Sequence, residues 1–338
     1  MNLSASHGDS AAERIERFRG CFLSIEREVG KVIVGHERVL RKVLAALFAG
    51  GHVLLEGVPG LGKTLIVRSV SKALGLSFKR IQFTPDLMPS DIIGAQILSE
   101  HLTGRAFQFR QGPIFAHIVL ADEINRASPK TQSAVLEAME ERQVTAFGET
   151  YPLLDPFFLL ATQNPIELEG TYPLPEAQLD RFLFKLLVES PSPAELKEIL
   201  DRTTSDRAEE VETVFQAETA RERIAEMRQL VRQVLIAPPL QGYIIALISA
   251  TTPNGPGSVP VVKNYVRFGP GPRAAQAVVL GAKVSALLDG RAHASFEDIA
   301  DVVLPAMRHR MILNFQAEAE NVTSEAVLGE VLRSARRP

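Results

Sequence analysis

The sequence predicts an α/β domain with a three-layer parallel sheet, followed by an all-helical domain. Three observations carry this. Short apolar runs alternate with amphipathic helical patterns from Ile15 to Val188. One run, "HIVLADE", is almost continuously apolar, as a strand covered on both faces should be. The composition then shifts at "ESPSPAELKEIL", where Pro191 and Pro193 mark a linker, and the pattern beyond is mostly helical. The expected division is a lead-in without fixed structure over 1–10, an α/β core over 11–190 and a helical domain over 191–338.

Taken in order, Ile15, Phe18, Phe22, Ile25 and Val29 recur at three and four residues and mark an amphipathic helix. "VIVGHERV" follows with a break at Gly35, and a second helix carries Val39, Val43, Leu44, Leu47 and Phe48. "HVLLEG" is a short strand, "GKTLIVRSVSKAL" a helix, and "FKRIQF" the next strand. After "AHIVLADE" comes the helix "SPKTQSAVLEAMEE", with Ser128 as N-cap and Pro129 at the first helical position. "FFLLATQNP" is a further buried strand, and a helix "PEAQLD" leads into a last one, "RFLFKLLV". Two inserts interrupt the alternation. Residues 94–112 read as a hairpin around "LTG", and 142–153 as a second hairpin turning at Gly148. Beyond the linker, helices are expected over 193–202, 216–235, 240–250, 273–288, 296–305 and 323–335. A Gly/Pro-rich connection, "TTPNGPGSVPVVKNYVRFGPGP", divides them.

Composition narrows the function. The 338 residues are 46% hydrophobic and 23% charged, and the net charge of -3 gives no global basic field for nucleic acid or an anionic membrane. The single cysteine, Cys21, excludes an internal disulfide framework and fits a reducing compartment. It lies in a helical pattern, where it reads as a small buried hydrophobe. No apolar run approaches the ~20 residues of a membrane helix. The first residues lack a basic segment followed by an apolar one, so no secretory signal is expected and the cytoplasm is the expected location.

"GVPGLGKT" fits the phosphate-binding pattern G-x-x-x-x-G-K-[ST]. Gly57 opens it, and Val58, Pro59, Gly60, Leu61 and Gly62 form the loop whose backbone amides cradle phosphate at a helix N-terminus. Lys63 would bridge the outer phosphates as a point charge, and Thr64 would offer its hydroxyl to Mg²⁺. Asp122 ends a buried strand, where ligands bind in open α/β sheets, and its carboxylate can hold Mg²⁺. Glu123 can orient or deprotonate a water for attack on the terminal phosphate. Asn164 ends a third strand and could hydrogen-bond that water or the γ-phosphate. Arg273 falls in the first turn of a helix, where a cation is disfavoured, which points to an anion beside it.

Together these residues resemble the AAA+ ATPases, and within them the MoxR family, over roughly residues 15–338. The elements are "GVPGLGKT" (Walker A), "VLADEIN" (Walker B), "ATQNP" (sensor 1), "LPEAQLDRF" (arginine finger, Arg181) and "GPGPRA" (sensor 2, Arg273). The wording "DEINRASPKTQSAVLEAMEERQVT" followed by "GTYPLPEAQLDRFLF" is what is MoxR-like. The two hairpins look like the inserts of the clade that also holds magnesium chelatase ATPase subunits. The resemblance implies a P-loop AAA+ core with a C-terminal all-α lid, ATP and Mg²⁺ as cofactors, and a homo-oligomeric ring, usually a hexamer. It implies a chaperone-like role on protein clients, often von Willebrand factor A-domain proteins. It also implies an adenine pocket at Val34 and Gly35, with His36 standing where the family usually has Gln. Arg126 is a second arginine that could act in trans. The inserts, with Phe107, Phe109 and Phe147 expected to be exposed, are the expected client-touching elements. The alternatives are a magnesium-chelatase-like motor subunit and a nucleic-acid-stimulated motor. The finger wording argues against the first, and the charge against the second.

Overall fold

The computed structural model describes residues 10–101, 104–165, 170–204 and 209–335, so the expected lead-in lies, apart from Ser10, outside the described residues. Contacts within the chain divide it into two compact units. One comprises Glu28–Val43 and Gly50–Glu222; the other comprises the stretch through Arg27, Leu44–Ala49 and the chain from Arg223 onward. The sheet unit runs on past the linker to Glu222, and the N-terminal helix through Arg27 clusters with the helical unit.

The elements up to the linker are α1 (Ala11–Gly30), α2 (Glu37–Ala49), β1 (Val53–Glu56), α3 (Lys63–Ala73), β2 (Phe78–Gln82), α4 (Pro89–Ile93), β3 (Gly94–His101) and β4 (Gly104–Gln111). They continue as β5 (Ile118–Asp122), α5 (Pro129–Glu141), β6 (Gln143–Ala146), β7 (Glu149–Pro152), β8 (Phe158–Gln163), α6 (Glu176–Leu179), β9 (Phe184–Leu187) and α7 (Pro193–Thr203).

In the first unit, five strands form one sheet in the order β2-β5-β8-β1-β9, and every pair is parallel. Burial explains the composition of the strands. Ile118, Val119, Leu120 and Ala121 of β5, and Leu159, Leu160 and Ala161 of β8, are fully enclosed, which only apolar side chains tolerate without partners. The C-terminal ends of β1, β5 and β8 therefore meet at one sheet edge.

Both inserts are antiparallel hairpins. β3 pairs with β4, though the expected tip at Leu102 and Thr103 lies outside the described residues. β6 pairs with β7 and turns at Phe147 and Gly148, both at positive φ (56° and 84°). Phe107 and Phe147 are exposed. Phe109 departs from expectation: it is half-buried, with its ring 4.4 Å from Tyr151 and 6.0 Å from both Phe115 and Phe147.

In the second unit, Phe18, Phe22 and Phe48 cluster with ring centroids 5.7–6.3 Å apart. The later elements are α8 (Ala217–Gln233), α9 (Pro238–Ala250), α10 (Pro260–Tyr265), β10 (Val266–Phe268), α11 (Pro272–Leu288), α12 (Phe296–Met307), β11 (Ile312–Leu313), α13 (Phe315–Ala319) and α14 (Ser324–Ser334). The Gly/Pro-rich connection holds α10 and β10, and β10 pairs antiparallel with β11. Among the described residues no helix is long and apolar enough to cross a membrane.

Candidate active site

The loop between β1 and α3 is shaped by its glycines. Gly60 and Gly62 sit at φ 84° and 75°, a region where a Cβ is strained. A Cβ on Gly57 would stand 2.6 Å from the Val188 carbonyl oxygen, so the chain at β9 leaves no room there. Lys63 is the first residue of α3, whose N-cap Gly62 offers no side-chain cap, and an uncapped helix start of this kind suits an anion. The Lys63 ammonium is buried and donates to the Gly57 carbonyl. Burial lowers its pKa, against the opposing pull of the Asp122, Glu123 and Glu56 carboxylates. The buried cation is thus folded back onto its own loop.

Asp122 lies at the end of β5 and is 7% exposed. Its Oδ1 accepts from Thr162 Oγ1 at 2.6 Å, and Thr162 Oγ1 also accepts from the Glu123 amide at 2.8 Å. One hydroxyl on β8 thus fixes the end of its neighbour strand. Asp122 Oδ2 accepts from Arg80 at 2.6 Å and 2.9 Å and lies 3.4 Å from Thr64 Oγ1. A hydroxyl and a nearly buried carboxylate converging beside the phosphate loop form an oxygen donor set that suits Mg²⁺.

Glu123 has positive φ (57°), a strained backbone for a residue with a side chain. Its Oε2 accepts from Gln82 Nε2 at 2.8 Å and from Arg126 Nη1 at 3.1 Å. Arg126 is thus paired within its own chain. Asn164 is buried one residue past β8, between the strand that feeds the loop and the strand that ends in Asp122. Val34 and His36 are buried beside Gly35, and His36 Nε2 lies 3.1 Å from the Leu61 carbonyl. Gly35 has φ 78°, and a Cβ there would meet Glu195 at 2.8 Å. The Val34–His36 turn therefore touches the phosphate loop.

Arg181 lies elsewhere. It follows α6 and precedes β9, whose first residue, Phe184, pairs with Val53 at the start of β1. The phosphate loop leaves the other end of β1, so Arg181 and its own chain's loop stand at opposite edges of the sheet. Its Nη1 donates to the Leu136 carbonyl at 2.6 Å, and Nη2 pairs with Glu140 at 2.9 Å. Arg273 is the second residue of α11, in the helical unit, and is exposed. Sequence reasoning missed Arg80, Gln82, Thr162 and Glu140. The first two alternate on one face of β2, and only the pairing of β2 with β5 brings them to the acidic strand end.

Two family models match: the ATPase family associated with various cellular activities (AAA) over residues 52–184, and the AAA lid domain over 260–331. The chain is 41% identical to Chaperone MoxR1 of Mycobacterium tuberculosis over 314 residues, covering 92% of this chain and 81% of that protein. It is 34% identical to Protein MoxR of Methylorubrum extorquens, covering 88% of this chain and 89% of that protein. A solved crystal structure of a candidate ATPase from Cytophaga hutchinsonii superposes with a TM-score of 0.88 at 40% identity, over 96% of this chain and 97% of that one.

Proposed function

The chain belongs to the MoxR family of AAA+ ATPases, and from that premise we propose that it forms a cytoplasmic hexameric ring that hydrolyses ATP to ADP and phosphate at its subunit interfaces. The helical lid, taken as residues 191–338, converts hydrolysis into remodelling or maturation of protein clients, with von Willebrand factor A-domain proteins the first class to test. The observation that supports a ring is the position of Arg181. A finger at the sheet edge opposite its own phosphate loop can serve only a neighbour's nucleotide.

In this reading the residues divide the work. Val34 and Gly35 line the adenine pocket, and the Val58–Thr64 loop wraps the phosphates. Lys63 leaves the Gly57 carbonyl for the outer phosphates. Thr64 and Asp122 would hold Mg²⁺, which neutralises charge on the β- and γ-phosphates when bound. Glu123 takes up the attacking water's proton, and Asn164 orients that water. Arg181 meets the charge developing on the neighbour's γ-phosphate, an effect worth about 10³ or more in rate in related systems. Arg273 contacts a phosphate from the lid. The exposed Phe107 and Phe147 on the two hairpins meet the client.

Mixed rings test the assignment. Arg181→Ala alone should bind ATP and fail to hydrolyse it, and Lys63→Ala alone should fail to bind. Mixing the two should restore part of the activity, since each subunit supplies what the other lacks. No rescue from intact mixed rings would remove the trans role. A pulldown with Glu123→Gln and ATP, which holds the closed state, then identifies the client.

A further inference from the structure

Arg181 is not presented to a neighbour as it stands. A guanidinium engages phosphate through its paired nitrogens, and α5 occupies both terminal ones: the Leu136 carbonyl takes Nη1 and the Glu140 carboxylate takes Nη2. Nε is buried and has no hydrogen-bond partner among the described residues. Beside the guanidinium lies a cavity of about 250 Å³, whose lining includes the carboxylates of Glu137, Glu140 and Glu141. An incoming γ-phosphate would meet those carboxylates as like charges. The geometry seen is therefore a parked one, and the working geometry needs Arg181 to exchange Glu140 for phosphate. The Arg181 and Glu140 side chains are 29% and 37% exposed. A pair this wet is weak enough to be broken by a triphosphate.

We propose that Glu140 is a positioning residue that parks Arg181 against its own subunit until a neighbour's nucleotide displaces it, so that ring formation and release of the finger are one coupled step. This rests on reading Arg181 as the finger. It goes beyond that reading by assigning a role to an acid in α5.

The test is ATPase rate per subunit against protein concentration, alongside sedimentation velocity with ATP. Glu140→Gln should lower the half-activating concentration about two- to fivefold, the range a half-exposed ion pair can supply, and leave the plateau rate unchanged. Glu140→Asp, too short to reach Nη2, should shift it in the same direction. Glu137→Gln removes one charge from the same cavity but leaves the ion pair intact, and should shift it less than Glu140→Gln does. In an Arg181→Ala background the Glu140→Gln effect on assembly should vanish. Three results would overturn the proposal: an unchanged midpoint, a lowered plateau (Glu140 then aligns the finger in the working ring), or a shift that survives loss of Arg181. If Arg181→Ala itself hydrolyses ATP normally, the finger reading fails instead, and the two failures are told apart.

Discussion

Arg80 and Asp122 are joined by two hydrogen bonds to a single oxygen: Nη2 at 2.6 Å and Nε at 2.9 Å from Oδ2. That same oxygen lies 3.4 Å from Thr64 Oγ1. A guanidinium and Mg²⁺ would thus draw on one carboxylate oxygen. Arg80→Gln should lower the Mg²⁺ needed for half-maximal ATPase activity about two- to fivefold, since the Arg80 side chain is 48% exposed and its pair is correspondingly weak. A Mg²⁺ titration at fixed ATP measures this. An unchanged or higher requirement would show that Arg80 does not compete for Oδ2.

His117 supplies a pH dependence. Its Nδ1 lies 2.7 Å from Ser77 Oγ, and its Nε2 is buried with no hydrogen-bond partner among the described residues. Burial, reinforced by Arg221 and opposed by Asp155, lowers its pKa below the usual 6.5. As pH falls through 6.5 the unfolded chain takes up a proton that the folded chain resists, so folding stability falls and then levels off below the folded pKa. Thermal melts from pH 7.5 to 5 should show that decline in the wild type and a shallower one in His117→Gln. Equal slopes would exclude His117 as the source.

What was legible in the sequence was local. The phosphate loop is a contiguous stretch, because successive amides must turn toward one anion, so its motif is visible in a single run. Asp122 and Glu123 were legible because an apolar strand announces its own end. Arg80, Gln82 and Glu140 were not, because pairing puts them in place. Gln82 stands opposite Asp122 only through the β2–β5 register, and Glu140 reaches Arg181 only because α5 runs back along the sheet. The β10–β11 ribbon was hidden for the same reason, as its partners are distant in sequence and each strand is very short. Phe107 and Phe109 share a face by period, yet only Phe109 meets Phe115 and Tyr151. Alternation alone cannot tell the two apart.

Lys63 should make the nucleotide-free protein less stable than it could be. Its ammonium is buried and its pKa is lowered from 10.5, chiefly by desolvation. The charged form therefore costs folding free energy at neutral pH, and that cost is relieved as pH rises toward 10.5. Lys63→Met keeps most of the stem and removes the charge. Without nucleotide it should melt higher than wild type and lose the rise in stability as pH climbs toward 10.5. With ATP the order should reverse, since ATP at a hundred times its Kd stabilises a binding-competent chain by about 2.7 kcal/mol and leaves a non-binding variant unmoved. Melting curves with and without ATP decide this; a Lys63→Met protein that melts lower in both conditions would contradict it.

The two hairpins separate packing from recognition. Phe109 touches Phe115, Phe147 and Tyr151, while Phe107 on the same strand is 72% exposed. Aromatic contacts of this kind contribute about 0.5–1.5 kcal/mol each beyond area burial. Phe109→Ser should therefore destabilise the sheet unit by about 1–3 kcal/mol, whereas Phe107→Ser should stay within about 0.5 kcal/mol of wild type. Urea unfolding measures both. If Phe107 meets the client, Phe107→Ser should weaken client capture by the Glu123→Gln trap despite its unchanged stability. A capture yield equal to that of the parent trap would move client recognition off the β3–β4 hairpin and onto Phe147 or another surface.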